Sequence, residues 1–396
     1  MPTETLTREI FGNIGTVPKM IFYALAVIAG LIAIKTAWPR IRRWRSGRAV
    51  DSRHSAGQTV RAIFARVLSQ STLDRTRPAA SRAHRCLFGG FAVLTLGTVL
   101  IAVEHVAALL AGREADQPVF HKGLYYAIYE PVMDLAGLAV LFGAGWFLVR
   151  RRRGDASIGH RGSDWMVLFA LLFLGASGFL VEGLRIIEAD SPGRWVSFVG
   201  AAVAGGLESV GVTREAAVVI HQFTWWLHAV VALGLLAAVP STRLWHAVAG
   251  GVLLSRHPER PLGTMTPVTI EEVEATGVFG ISQMDHLAIR QLVSLDACVS
   301  CGRCQDECPA HAAGKPLSPR QVVQDLAGQL RGIGSDSTPA LAGGVVSEET
   351  LWSCTSCSAC VEVCPLGVDP LELIIGMRRH LVGAGAVRGP AATALQ

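Results

Sequence analysis

Charge is scarce in this chain. Asp, Glu, Lys and Arg make up 17% of its 396 residues, against 51% hydrophobic ones. Average soluble domains carry about a quarter charged residues, and they do not gather the apolar excess into runs of about 20. Such runs are present, so a wholly soluble protein is excluded as the class. A cleavage-site pattern is missing from residues 1–16, which hold charged and polar groups. The first apolar run therefore reads as a retained helix and not as a signal peptide. Cysteine is missing from most of the chain: Cys86 stands alone, and the other eight of nine lie between Cys298 and Cys364.

Five apolar runs, 17–38, 86–111, 126–149, 164–187 and 216–244, are long enough to span a bilayer, which takes about 20 residues at about 1.5 Å each. The Gly-rich stretch 195–212, interrupted by Glu208, reads as an interfacial or re-entrant helix. Basic residues set the orientation. The loop 39–85 holds twelve arginines against Asp51 and Asp74, and the loop after the third run opens with Arg150, Arg151, Arg152 and Arg153. Loops 112–125 and 188–215 are balanced or mildly acidic. The arginine-rich loops then face the cytoplasm, the N-terminus starts outside, and everything after about Trp245 is cytoplasmic. Tethering between two spans argues against nucleic acid as the partner of the arginine loop. Membrane lipid is the expected surroundings, in the cytoplasmic (inner) membrane.

From Gly250 the texture is that of a soluble domain. Residues 255–269 are rich in Pro and charge, and 270–295 include an amphipathic helix. Two cysteine blocks follow as an internal repeat: Cys298-Val-Ser-Cys301-Gly-Arg-Cys304-Gln-Asp-Glu-Cys308-Pro309 and Cys354-Thr-Ser-Cys357-Ser-Ala-Cys360-Val-Glu-Val-Cys364-Pro365. Both read C-x2-C-x2-C-x3-C-P, the bacterial ferredoxin run, in which the fourth cysteine ligates the other cluster. On that pattern Cys298, Cys301, Cys304 and Cys364 hold one [4Fe–4S] cluster, and Cys354, Cys357, Cys360 and Cys308 hold the second. Structural zinc is the competing reading, but it needs only four thiolates and does not use two whole runs with trailing prolines.

Histidines inside a span are costly unless they serve a purpose. His221, His228 and His246 fall on the fifth run or at its inner end. The 18 residues from His228 to His246 are five turns, so on one continuous helix both project from one face about 27 Å apart. His84 and His105 bracket the second run. Histidines at both depths can ligate one or two stacked b-type haems, the inner between His84 and His246, the outer between His228 and His105 with His221 competing. The sequence lacks a C-x-x-C-H attachment motif, so the haem is non-covalent. Asp134, Glu182 and Arg185 are charges within or near spans. They are candidates for quinone binding or a proton path, against the plainer reading of a helix-to-helix salt bridge. Trp225 and Trp226 read as anchors at the outer rim.

The membrane half resembles the cytochrome b subunit of respiratory nitrate reductase, with five helices and a last helix bearing two histidines 18 residues apart. The stretches Arg82-Ala-His84, Gly178-Phe-Leu-Val-Glu182-Gly-Leu-Arg185 and Trp225-Trp-Leu-His228 resemble fusion proteins that join this domain to a heterodisulfide-reductase-like iron–sulfur domain. So do Asp296-Ala-Cys298, Leu351-Trp-Ser-Cys354 and Arg378-Arg379-His380-Leu381. That group includes membrane oxidoreductases passing electrons from electron-transfer flavoprotein to menaquinone. The resemblance carries the inner haem over to His84 and His246. The outer haem keeps His228 and loses its matched partner, since Leu94 stands ten residues after His84. The fused relatives continue into cysteine-rich CCG domains; the chain ends at Gln396 without one, so a partner subunit is expected to supply it.

The expected architecture is an all-α bundle of five transmembrane helices holding one or two b haems (1–254), a linker and amphipathic segment (255–295), a mainly helical ferredoxin-like domain with two [4Fe–4S] clusters (296–381) and a tail (382–396). The expected function is electron transfer between a cytoplasmic donor, electron-transfer flavoprotein or another redox protein, and menaquinone. The equivalent subunit of a hydrogenase, heterodisulfide-type or sulfite-reduction complex is the alternative, or a redox sensor without turnover. A transporter is disfavoured, because the spans show no paired broken-helix pattern.

Overall fold

The computed structural model describes residues 6–49, 55–70, 73, 76–113, 118–154, 162–189, 193–255, 261, 263–332 and 339–387. Parts of the expected linker (256–260 and 262), of the Gly-rich loop between the cysteine blocks (333–338) and of the tail (388–396) lie outside them.

Among the described residues, five helices are long and apolar enough to cross a membrane: Thr16–Arg45, Pro78–Leu110, Gly123–Arg152, Gly162–Ala189 and Arg214–Ser241. The protein is a multi-pass membrane protein. A helix is the form such runs must take, since lipid offers nothing to the backbone N–H and C=O groups. Arg42, Arg43 and Arg45 close the first span and Arg150, Arg151 and Arg152 the third, which suits the negative ends of the helix dipoles. Thr213 caps the fifth by accepting from the Ala216 N–H at 3.3 Å, as N-cap threonines do.

Two compact units emerge. The first gathers most of the span residues up to Val239; the second takes Lys35–Pro78 together with everything from Pro240 onward. The division therefore falls before Trp245–Ser255, a helix that packs on Ile289–Ala297 in the second unit.

In the first unit the spans approach through glycine. A Cβ on Gly90 would lie 2.5 Å from the Ala136 carbonyl oxygen, and one on Gly143 would lie 2.7 Å from that of Ala83. Small residues at such crossings let membrane helices pack without a hydrophobic driving force. The stretch read as interfacial forms a helix of 12 residues, Phe198–Ser209, too short to span at about 1.5 Å per residue. It joins Leu184, Ile186, Ile187 and Ala217 in one apolar cluster through Ala204.

The fifth span corrects one expectation. Its α-helix ends at Ala238, a 3-10 turn covers Val239–Ser241, and a separate helix starts at Trp245. Pro240 has no N–H to continue the ladder. His228 and His246 therefore do not share one helix face. Trp225 packs edge-on against Phe11, which precedes the first span, and against Phe22 within it.

In the second unit the iron–sulfur region is helical. Leu292, Val293 and Leu295 from Ile289–Ala297 are buried, as are Val322, Val323 and Leu326 from Pro319–Gly332. The faces of Pro370–Gly383 bearing Leu371, Ile374 and Met377 are buried too. The amphipathic segment expected over 270–295 is Ile270–Thr276 followed by the start of Ile289–Ala297.

Candidate functional site

Each cysteine block folds as a wrapped loop. Ser300 and Gly302 take φ of +55° and +86° around Cys301, and Ser356 and Ser358 take +56° and +64° around Cys357. The two loops thus have the same shape, although only the first has glycine at the second position. Successive turns of this kind point N–H groups inward, toward an anionic centre. The Ser356 N–H donates to Cys354 Sγ at 3.4 Å, and Gln324 Nε2 donates to Cys298 Sγ at 3.3 Å.

The neighbourhoods of the thiols follow the crossed pattern. Burial pushes the Cys364 thiol up to about 12, helped by Cys301 and Cys298. Burial raises Cys304 as well, with Cys364 its strongest thiol neighbour. Cys360 is pushed up to about 12 by burial and Asp369, then by Cys354, Cys308 and Cys357. The fourth cysteine of each block thus lies with the first three of the other. Such thiols stay protonated unless metal replaces the proton, and four cysteines per centre are the donor set of a cubane. Among the described residues no three ligating side chains converge closely enough for a single metal ion.

The five candidate haem histidines, His84, His105, His221, His228 and His246, are all on described helices. His228 Nδ1 lies 2.8 Å from Ser177 Oγ on the fourth span, and that hydroxyl reaches the Leu174 carbonyl at 3.5 Å. In the tautomer with the proton on Nδ1, Ser177 accepts from Nδ1–H and Nε2 keeps the lone pair that iron requires. His246 Nδ1 donates to the Arg243 carbonyl, with the same consequence. Both imidazoles fit axial haem ligation. His221 is 3% exposed, and its Nδ1 has no partner. His105 stacks on Tyr23 at 5.8 Å and meets Phe11 edge-on at 5.1 Å. His84 lies between Phe88 and Phe147. His84 belongs to the first unit and His246 to the second.

Asp134, Glu182 and Arg185 come together in the first unit around a residue the sequence reading did not single out, Glu130. Glu130 is 1% exposed. It faces Arg8 at 3.2 Å, Arg185 at 3.7 Å and the His121 ring at 3.8 Å, and it accepts from Ser197 Oγ at 2.8 Å. Arg185 also reaches Glu182 at 3.7 Å. Asp134 accepts from the Val199 N–H at 2.8 Å, while its other oxygen has no partner. Glu130 carried a usable signal, a carboxylate one turn before Asp134 inside an apolar run. Arg8 and His121 carried none, since they lie outside the spans.

Comparison with known proteins agrees with this anatomy. Residues 60–258 match the family model described as nitrate reductase gamma subunit, and residues 294–368 match a 4Fe-4S dicluster domain. A protein from Syntrophomonas wolfei named EtfAB:quinone oxidoreductase is 26% identical, over 92% of this chain and 54% of its own length. A probable membrane-anchored ferredoxin of Chromohalobacter salexigens is 30% identical, over 95% of this chain and 54% of its own. One component of the dihydromethanophenazine:CoB–CoM heterodisulfide reductase of Methanosarcina barkeri is 34% identical, over 25% of this chain and 27% of its own. The chain spans about half the length of the first two relatives. No solved structure matches it. The chain belongs to the nitrate reductase gamma-subunit family and carries a 4Fe-4S dicluster domain after its membrane helices.

Proposed function

We propose that this protein relays electrons between a cytoplasmic flavoprotein of the electron-transfer flavoprotein class and menaquinone. The observation that carries the reading is the crossed set of eight cysteines joined to a nitrate-reductase-gamma membrane domain. The similarity to a relative named for EtfAB and quinone supports the choice of the two end partners. When bound, the clusters and haem would supply the one-electron redox steps.

The chain's own residues do the holding. Cys298, Cys301, Cys304 and Cys364 hold cluster one; Cys354, Cys357, Cys360 and Cys308 hold cluster two. Ser177 and the Arg243 carbonyl fix the tautomers in which His228 and His246 present Nε2. The inner haem takes His84 and His246 from the family's pattern, and the outer takes His228 with His105 or His221. Glu182, Asp134 and Glu130 are carboxylates able to exchange protons with a bound quinone; Arg185 orients Glu130 and Glu182, and the Val199 N–H holds Asp134. Arginine in the loop 39–85 favours the cytoplasmic side for the iron–sulfur domain, and a partner subunit with CCG domains completes the path from the donor.

A heterodisulfide-type complex is the second reading, favoured by the match to the Methanosarcina protein. A haem and iron count on detergent-purified protein tests the relay, with optical spectra before and after dithionite. About eight non-haem irons per chain, two four-iron clusters, with a reduced b-type band is the expected result. Iron without haem would leave a membrane-anchored ferredoxin and sink the relay. Copurification with electron-transfer flavoprotein rather than a hydrogenase or heterodisulfide reductase separates the two readings.

A further inference from the structure

A buried carboxylate stands immediately before the first cysteine block. Asp296, two residues ahead of Cys298, has a side chain 3% exposed. Its Oδ2 accepts from Trp44 Nε1 at 3.1 Å, Trp245 Nε1 at 3.1 Å and Arg40 Nε at 3.0 Å, and its Oδ1 accepts from Arg40 Nη2. The indole rings are 5.6 Å apart, and the Arg40 guanidinium covers Trp245 at 5.1 Å. Burying an ion is expensive unless it is paired and hydrogen-bonded on all sides, and this one is.

The same side of the domain is gripped elsewhere. Arg243 donates to the Val299 carbonyl, and Arg77 donates to the Cys301 carbonyl at 3.0 Å and pairs with Asp306. A Cβ on Gly250 would meet the Leu366 side chain at 2.8 Å, and Leu366 follows Cys364 by two residues. Both ligand-bearing segments of cluster one thus touch Arg243 and Gly250, which flank His246 in sequence. Cluster two is held from within its own domain: Arg378 donates to the Leu351 and Cys354 carbonyls and stacks on Trp352, while Cys357 is exposed.

We propose that cluster one is the exit toward the haem held by His246, that cluster two is the entry, and that Asp296 is the positioning residue coupling exit to haem. The route runs from Cys298 along two peptide units to Asp296, across the hydrogen bond to the Trp245 indole, and on to His246, the next residue in the chain. One electron passes per event: the cluster is oxidised by one, ferric haem becomes ferrous, and no bond forms or breaks. The reduced flavoprotein supplies the electron at cluster two. This inference rests on the relay proposed above.

The test uses the full-length protein with haem and clusters loaded, mixed anaerobically with dithionite. Freeze-quench EPR follows the clusters and the optical band follows the haem. Cys301→Ala, which removes cluster one, defines the direct background. In Asp296→Ala and Trp245→Phe, haem reduction should slow on the order of tenfold or more, while haem content, both cluster signals and the rate of cluster reduction stay unchanged. Asp296→Glu should restore part of the rate, and the midpoint potential of cluster one should shift in Asp296→Ala while that of cluster two does not. Trp245→Phe keeps the carboxylate paired with Arg40 and Trp44, so it carries the test if Asp296→Ala loses a cluster. Wild-type haem reduction in fully loaded variants overturns the coupling, and so does loss of haem from both with clusters kept. Fast haem reduction in Cys301→Ala but not in Cys357→Ala overturns the cluster order. Wild-type protein without haem would instead defeat the relay itself.

Discussion

At the scale of single residues, chemistry here depends on which atom of a side chain is left over. The proposed haem role of His228 needs a free lone pair on Nε2, and Ser177 Oγ, 2.8 Å from Nδ1, favours that tautomer by accepting a hydrogen bond from Nδ1–H. Partners of this kind change metal affinity by roughly 10–100-fold when removed. Ser177→Ala should therefore lower the haem retained through purification, measured by a pyridine haemochrome assay against iron content, with the cluster signals untouched. Full haem in that variant would mean the hydroxyl is only a packing contact.

At the scale of elements, the second and third spans meet backbone to side chain. Gly143 faces the Ala83 carbonyl and Leu87, both at 2.7 Å from where a Cβ would stand. Neither is the free end of a flexible chain, so Gly143→Val must push the helices apart. Overpacking of this sort costs typically about 1–3 kcal/mol. The expected outcome is a lower melting temperature in detergent and a weakened haem band, since His84 lies on the same helix one residue past Ala83. Gly145, with open space around its position, is the control: Gly145→Val should leave both unchanged. The break at Pro240 belongs to this scale too. It frees Trp245–Ser255 from the span, so that Trp245 can meet Asp296.

At the scale of the whole molecule, two units rest on different forces. The first is held by close helix crossings and the buried Glu130–Arg185 network. The second surrounds two blocks of four cysteines, of which burial raises the thiols of Cys298, Cys304, Cys360 and Cys364. Metal binding in such a domain is also folding free energy. Stripping the iron with a chelator under oxidising conditions should therefore open the iron–sulfur domain to proteolysis between Cys298 and Cys364, while the spans keep their helicity. Limited proteolysis with circular dichroism checks this. Unchanged protease resistance after complete iron loss would show that helix packing alone holds the domain.

The sequence by itself determined the class, the five spans and the paired four-cysteine runs of a dicluster domain, because hydropathy and thiolate spacing are local properties of the chain. It also exposed His84, His228 and His246 through family motifs, and Asp134, Glu182 and Arg185 as charges in apolar runs. The break between His228 and His246 was harder to see, although Pro240 stood between them as a warning. Only the tertiary structure decided that Glu130 is the centre around which those charges gather, with Arg8 and His121 brought from outside the spans. It alone joined Asp296 to Trp44 and Trp245, residues 252 and 51 positions away. Buried polar groups must find partners wherever the fold supplies them, and no local pattern records partners that lie so far along the chain.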